Sequence, residues 1–266
     1  MRLSVSHVSH YTYPQPVSYG LLQARLWPKD NANQTVLDWT LDVTGGSVQT
    51  EFQDQHHNHV ALILQDPDVQ SIRIEARGNV DTKDGAGIIG KHGGYSPLWL
   101  FLRQTDRTKP SKALRAFSRQ FSKMGDDRLA MLHALSAAIA QSVTYATATT
   151  DVTTTADDAF VQGQGVCQDH AHIFLSVARM LGVPARYVSG YLMLNDTVDQ
   201  DASHAWVEGY IPALGWVGFD VSNRISPDER YIRVATGLDY DDATPLKGHR
   251  LGTEGDSLVV SLQVQQ

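Results

Sequence analysis

Apolar and polar residues alternate from the start of the chain. Leu3, Val5 and His7 fall on one face of an extended segment and Ser4, Ser6 and Val8 on the other, before Tyr11-Thr12-Tyr13 runs into Pro14 and Pro16. A period of two, carried by aromatic and β-branched residues, predicts half-buried antiparallel strands. Leu37 to Val43, His59 to Leu64 and Ile72 to Ala76 continue the pattern, with Gly45-Gly46 and Asp66-Pro67-Asp68 as turns between them. An N-terminal β domain over residues 1–95 is expected, with the Gly- and Asp-rich stretch 81–96 as a connector.

The period then changes. Asp126 and Asp127 precede Leu129, Leu132, Ser136, Ile139 and Val143, an apolar stripe at helical spacing with acidic residues at its positive end. His133 within it reads as a partly buried or surface histidine. Gly163-Gln164-Gly165-Val166-Cys167 leads into Ala171, Phe174, Leu175, Ala178 and Leu181. These steps of three and four make Cys167 the opening of an amphipathic helix, which Gly182 and Pro184 end. Short strands are predicted at Arg186 to Leu192, Ser203 to Ile211 and Trp216 to Val221. Leu258 to Val264 alternates like the first strand and is expected to return to the N-terminal sheet. The predicted fold class is α+β: the β domain, a helix-and-sheet core over 96–225, and a C-terminal extension over 226–266.

With 266 residues, of which 42% are hydrophobic, the chain has ample material for one large core or two modest ones. Its net charge of −7 and lack of a long basic tract argue against partners held through nucleic-acid phosphates or anionic lipid. Polar residues interrupt every apolar run near the N-terminus, and no stretch approaches the ~18–20 residues of a membrane span, so a soluble, cytoplasmic protein is expected. A single cysteine, Cys167, excludes an internal disulfide and CxxC-type zinc or redox motifs. Such a residue is either a small buried hydrophobe or a working thiol.

The setting of Cys167 bears on that choice. Unpaired N–H groups at a helix start favour a thiolate, and a nucleophilic thiol needs a base, usually histidine, with a third group fixing the ring. One histidine among 11 is no signal by itself. His204, however, lies near the start of one predicted strand and Asp220 near the end of the next, with Pro212-Ala213-Leu214 between them. If that turn is odd-numbered and centred on Ala213, position 206 faces 220. His204 and Asp220 are then diagonal neighbours on one face, ~7–8 Å apart at the backbone, within side-chain reach.

Four ordered segments carry a family resemblance: Gly165 to His172 (GVCQDHAH), Leu181 to Tyr191 (LGVPARYVSGY), Ser203 to Trp206 (SHAW) and Gly215 to Asp220 (GWVGFD). Together they resemble the transglutaminase-like superfamily, in particular its bacterial cysteine peptidases. The N-terminal β region and the stretch from Tyr231 to Gly248 resemble the flanking regions of those proteins. The resemblance implies a papain-like core with the cysteine-bearing helix packed on an antiparallel sheet. It assigns Cys167 as nucleophile, His204 as general base and acid, and Asp220 as orienter. It implies acyl transfer on amide bonds of a protein or peptide substrate, without a cofactor, through a thioester that water or an amine resolves. Hydrolysis is the expectation, amine transfer the alternative within the fold, and a non-catalytic binding module the alternative outside enzymology. The family pattern after the aspartate is Pro then Thr, where this chain has Val221 and Ser222. The oxyanion is expected to meet the Cys167 N–H and a second donor, between Gln162 and Gln164 or elsewhere.

Other clusters have plainer readings. His170 shares a helix face with Cys167, but a same-helix partner points along the helix and not across a cleft. His172 is expected beneath the helix. In His56-His57-Asn58-His59 only His57 and His59 would share a strand face, so a solvated turn or strand edge is expected over a metal site. Asp196, Asp199 and Asp201 form an acidic connector that lacks the glycine and terminal glutamate of an EF-hand calcium loop, so a solvated connector is expected over a cation site, with a loop that borders the cleft and attracts cationic substrates as the middle reading; Asp239, Asp241 and Asp242 have the same ambiguity. Trp206 and Trp216 are assigned to core or cleft wall.

Overall fold

The computed structural model describes residues 1–124, 127–252 and 255–266. Asp126, paired above with Asp127, lies outside the described residues. Six strands come first: β1 (Arg2–Val17), β2 (Tyr19–Ala24), β3 (Gln34–Thr44), β4 (Gly46–Gln53), β5 (His59–Gln65) and β6 (Val69–Thr82). The short β7 (Ile88–Gly90) follows, then a single turn of tight helix, α1 (Lys112–Ser118), α2 (Arg128–Ser142), β8 (Thr144–Tyr145), α3 (Ala156–Gln162) and β9 (Gln164–Gly165). Next come α4 (Cys167–Met180), β10 (Ala185–Leu192), β11 (Asp199–Gln200), β12 (His204–Ile211), β13 (Gly215–Phe219) and β14 (Tyr231–Gly237). The chain closes with α5 (Tyr240–Ala243), β15 (Leu246–Leu251) and β16 (Ser257–Gln265).

Two antiparallel sheets make the N-terminal half, in the orders β11-β16-β1-β6-β3 and β15-β2-β5-β4. The alternation in β1 does what its period requires: Leu3, Val5, His7 and Ser9 are buried while Ser4, Ser6 and Val8 are only partly covered. Pro14 and Pro16 sit where the β1–β6 register slips between Thr12 and Val17, a place where missing N–H donors cost no ladder bonds. The C-terminal strand returns as expected, pairing with β1 from Ser4↔Gln265 to Thr12↔Ser257.

A third sheet, β14-β10-β12-β13-β7, backs the helices. Sheet membership cuts across the expected boundaries at 95 and 225. The presumed connector contributes β7, which joins β13 as an edge strand. The presumed extension contributes β14, which pairs with β10 inside the same sheet. Three apolar residues, Ile232, Val234 and Ala235, are buried there, and they give β14 its place.

Helix α4 also departs from its expected amphipathic character. Every residue from Asp169 to Arg179 is buried, because the sheet, α1, α2 and α3 all pack on it. Its polar residues are accommodated by bonds: Arg179 donates to Phe101 O, Ala185 O and Thr108 Oγ1 at 3.0–3.2 Å. In the sheet, buried Glu208 meets Arg186 at 2.5 Å and Arg233 at 2.7 Å. Burial works against the Glu208 charge, but the two guanidinium groups hold its pKa down at about 2.

The histidine-rich segment is not a solvated turn. His56 and Asn58 are buried, and Asn58 receives a bond from Lys29 Nζ at 2.7 Å and donates to Thr236 O at 2.8 Å, which ties the sandwich to β14. The later acidic cluster is likewise absorbed. Asp239 caps α5, Asp241 pairs with Arg107 at 2.9 Å, and Asp242 meets His56 at 3.2 Å. Among the described residues no three His, Cys, Asp or Glu side chains group so as to hold a metal ion. No described helix is long and apolar enough to cross a membrane.

Candidate active site

Cys167 is the first residue of α4, and the residues around it fix that helix start. Asp169, in the first turn, accepts from the Val166 N–H at 2.8 Å and from Thr150 Oγ1 at 2.7 Å. This bond pins the entry to the helix and places a carboxylate at its positive end. Gly165 makes room for it: a Cβ there would lie 2.7 Å from Asp169 Cβ and 2.8 Å from its Oδ2. The Gly-Val-Cys-Gln-Asp run is therefore a mechanical unit that presents the thiol at a helix N-terminus, where the first N–H groups have no partner within the helix.

His204 opens β12 and Asp220 follows β13 directly, in the anticipated register. β12 and β13 pair from Val207↔Phe219 to Ile211↔Gly215, which centres the turn on Ala213. His204 Nε2 lies 2.6 Å from Asp220 Oδ2, leaving Nδ1 for the cleft. Across the other edge His204 is the register partner of Gly190. A Cβ at Gly190 would lie 2.6 Å from the Trp206 indole, so the glycine lets Trp206 lie over the strand. Trp206 packs edge-on to Tyr231, with ring centroids 5.4 Å apart, and both rings lie about 6 Å from His204.

Asp220 is fully buried and answered on all sides. Besides His204 it receives Asn223 Nδ2 at 2.7 Å, the Asn223 N–H at 3.1 Å and Tyr231 Oη at 2.7 Å. Burial alone would raise its pKa, but these donors lower it below the usual carboxylate value. The opposite holds for His204. Burial disfavours its charged form, yet the bond to Asp220 and the adjacent Cys167 sulfur lift its pKa to about 10. The site thus favours an imidazolium.

The cleft in front of these groups has a volume of about 640 Å³, inside the range of small-molecule and peptide sites. Cys167, His204, Tyr145, Gln168, Tyr187 and Tyr240 are among its walls. The rivals raised by sequence are engaged elsewhere. His170 bonds Ser222 Oγ at 2.9 Å and Val143 O at 3.0 Å. Ser222, standing after Val221 in place of the family's Pro-Thr pair, so keeps a hydroxyl in use. His172 is fully buried, accepts from the Tyr240 N–H at 3.3 Å, and is driven by burial to a pKa of about 3.

Neither Gln162 nor Gln164 lines the cleft; Gln162 donates to Thr149 O at 3.3 Å. The acidic connector reaches the cleft through Gln200, Ala202 and Ser203, not through its carboxylates. Asp199 instead accepts from Gln263 Nε2 at 2.8 Å where β11 pairs with β16. None of the loop's three carboxylates lines the cleft itself, and Asp201 lines a smaller cavity beside it. Sequence reasoning missed Tyr231 and Asn223, and nothing in the local spacing marks either as a partner of Asp220.

Comparison with known proteins bears on the family and the fold. The transglutaminase-like superfamily core model matches residues 115–221, and the bacterial transglutaminase-like N-terminal region matches residues 3–81. The chain belongs to the transglutaminase-like superfamily. An uncharacterized protein of Mycobacterium leprae is 30% identical over 279 residues, covering 99% of this chain and 98% of the relative. A protein-glutamine gamma-glutamyltransferase of Pseudomonas aeruginosa is 34% identical over 90 residues, covering 31% of this chain and 13% of the relative. Among solved structures, a Cytophaga hutchinsonii protein provisionally named a cysteine protease superposes with a TM-score of 0.77 at 21% identity, covering 100% of this chain and 98% of the other. That likeness shows the shared fold, the α+β architecture of the superfamily with its cysteine-bearing helix on an antiparallel sheet.

Proposed function

We propose that this superfamily member is a cysteine hydrolase that cleaves amide bonds in a peptide or protein substrate. In this reading Cys167 is the nucleophile, His204 the general base and acid, and Asp220 the orienter. The observation that carries it is that the His204 ring, backed by the buried, fully bonded Asp220, shares one cleft with the Cys167 thiol at a helix N-terminus.

The thiolate attacks the amide carbonyl carbon, and the oxyanion that forms accepts from the Cys167 N–H. As the C–N bond breaks, the His204 imidazolium gives its proton to the departing amine. A thioester remains. Water, deprotonated by the now neutral His204, attacks it, releasing the carboxylic acid and restoring the thiolate–imidazolium pair.

An amine in place of water gives amide transfer, and the likeness to the Pseudomonas aeruginosa transferase favours this as the second reading. The first experiment is the pH dependence of iodoacetamide alkylation in wild type and His204→Ala; with one cysteine in the chain, only Cys167 reports. Reaction persisting well below the ~8.5 reference value of a free thiol, and lost in the variant, supports the pair. A reaction that follows the reference value in both proteins overturns it. Labelled-amine incorporation into a glutamine donor, absent in Cys167→Ala, would replace hydrolysis with transfer.

A further inference from the structure

Ala202, Ser203 and Tyr240 border the large cleft on one side and a second cavity, of about 170 Å³, on the other. The second cavity opens where the N-terminal sandwich meets the half that carries Cys167. The sandwich supplies its apolar walls: Tyr11 from β1, Leu246 from β15, and Leu258 and Val260 from β16.

The β1–β16 register explains why this wall is apolar and open. Val5↔Val264, His7↔Leu262, Ser9↔Val260 and Tyr11↔Leu258 lie along one face of the sheet. At one end of that row Val264 and Leu262 are sealed, with 1% and 0% of their surface exposed, whereas Leu258 at the other end is 46% exposed. An inner face thus runs out of its cover beside the cleft.

The floor offers no free charge. His7 is bonded through both ring nitrogens, to Tyr191 Oη and Ser9 Oγ at 3.0 Å each, and burial lowers its pKa to about 4. Asp201 is the one acidic side chain lining the cavity among the described residues. An apolar void of ~150 Å³ accommodates benzene, so this volume suits one aliphatic or aromatic side chain. Beyond Leu192, Leu194 and Asn223 the cleft also continues the other way, into a groove of about 430 Å³. Three spaces in a row fit an extended chain better than a compact small molecule.

We propose that the cavity bounded by Tyr11, Leu246, Leu258 and Val260 is a substrate subsite, which takes an apolar side chain of a polypeptide whose scissile amide lies at Cys167. This rests on the reading of the cleft as a cysteine acyl-transfer site. The subsite gives the N-terminal sandwich a direct part in choosing the substrate.

The test is the rate at which Cys167 is alkylated by iodoacetamide, N-hexyl iodoacetamide and N-(5-carboxypentyl) iodoacetamide, each divided by its rate with free cysteine. The expected result is an N-hexyl advantage of about tenfold over iodoacetamide, with none for the carboxypentyl reagent. Leu258→Lys, at an exposed position, should abolish the N-hexyl advantage and create one for the carboxypentyl reagent, a gain that misfolding would not produce. Val260→Thr, nearly isosteric, should reduce the N-hexyl advantage severalfold.

Equal normalised rates for all three reagents in wild type would overturn the subsite. So would an N-hexyl advantage that survives both substitutions, which would place the alkyl chain elsewhere in the cleft. In both cases the response of plain iodoacetamide to pH and to His204→Ala still stands as the separate measure of the catalytic reading. If that response is absent, the catalytic reading falls and takes the subsite with it.

Discussion

The Tyr231 hydroxyl donates to the same oxygen of Asp220 that contacts His204, at 2.7 Å. A residue from the strand after the β12–β13 hairpin thereby holds the carboxylate that holds the imidazole. Tyr231 is itself fixed by its edge-on contact with Trp206. Removing the hydroxyl leaves Asp220 buried with one donor fewer, and a bond to a buried charge is worth about 1.5–3 kcal/mol. Tyr231→Phe is therefore expected to lower unfolding free energy by about 2 kcal/mol and to weaken amide cleavage by about tenfold. Asp220→Asn should cost more in activity, because it removes the carboxylate that stabilises the imidazolium. Urea unfolding and kcat/KM of the two variants check the order.

Tyr231 also marks where sequence reading stopped. The register of His204 against Asp220 was legible because Pro212-Ala213-Leu214 sets a short turn and a strand's period of two does the rest. Cys167 at a helix start was legible from glycines followed by apolar steps of three and four. The place of β14 was not, since its contacts with β10 join positions about forty to fifty residues apart and no local pattern encodes that pairing. The burial of α4 on every side was hidden for the same reason. Its polar positions Arg179 and His170 carry no local sign of burial, and only their tertiary partners reveal them as internal.

The two pKa shifts in the site have opposite signs and different pH windows. His204 is raised to about 10, so the stability it contributes is fully present below its unfolded value of ~6.5 and is lost as pH rises through about 10. Asp220 is lowered, so its contribution is present above the unfolded carboxylate value and is lost as pH falls. The stability gap between wild type and His204→Gln should therefore be widest in mildly acidic solution and close in strongly alkaline solution. Amide cleavage should fall above about pH 10, where the proton donor to the leaving amine disappears. Alkylation by iodoacetamide needs no such donor and should show no fall there. A pH series of both reactions separates the two.

Gly165 carries a prediction out of proportion to its size. A methyl group there collides with Asp169 Cβ and Oδ2. The carboxylate must then move away from the Val166 N–H and Thr150, which loosens the first turn of α4. Gly165→Ala is expected to destabilise the protein by about 1–3 kcal/mol, the size of overpacking in a filled site. It should also slow Cys167 alkylation at low pH severalfold, because the helix N-terminus no longer addresses the thiol. Asp169→Asn keeps the shape and an acceptor oxygen and should be milder in stability. Thermal unfolding beside the alkylation rate distinguishes the two effects.

The returning strand ties the far end of the chain to its beginning. β16 adds nine register pairs to β1 and buries Leu262 and Val264 completely in the inner face. Burial of such side chains contributes roughly 1.5–3 kcal/mol each. Removing residues 257–266 would also leave β1 with an unpaired edge and uncover His7, which sits opposite Leu262. Leu262→Ala alone is expected to cost about 2–5 kcal/mol. Deleting the whole strand should cost more, lower the urea midpoint further and promote association through the open edge. Because β16 also holds β11, which precedes the segment lining the cleft at Ala202 and Ser203, the deletion should disturb Cys167 chemistry as well as stability. Urea titration followed by sedimentation and alkylation of the truncated protein tests all three consequences. An unchanged midpoint would mean that the strand contributes pairing without stability.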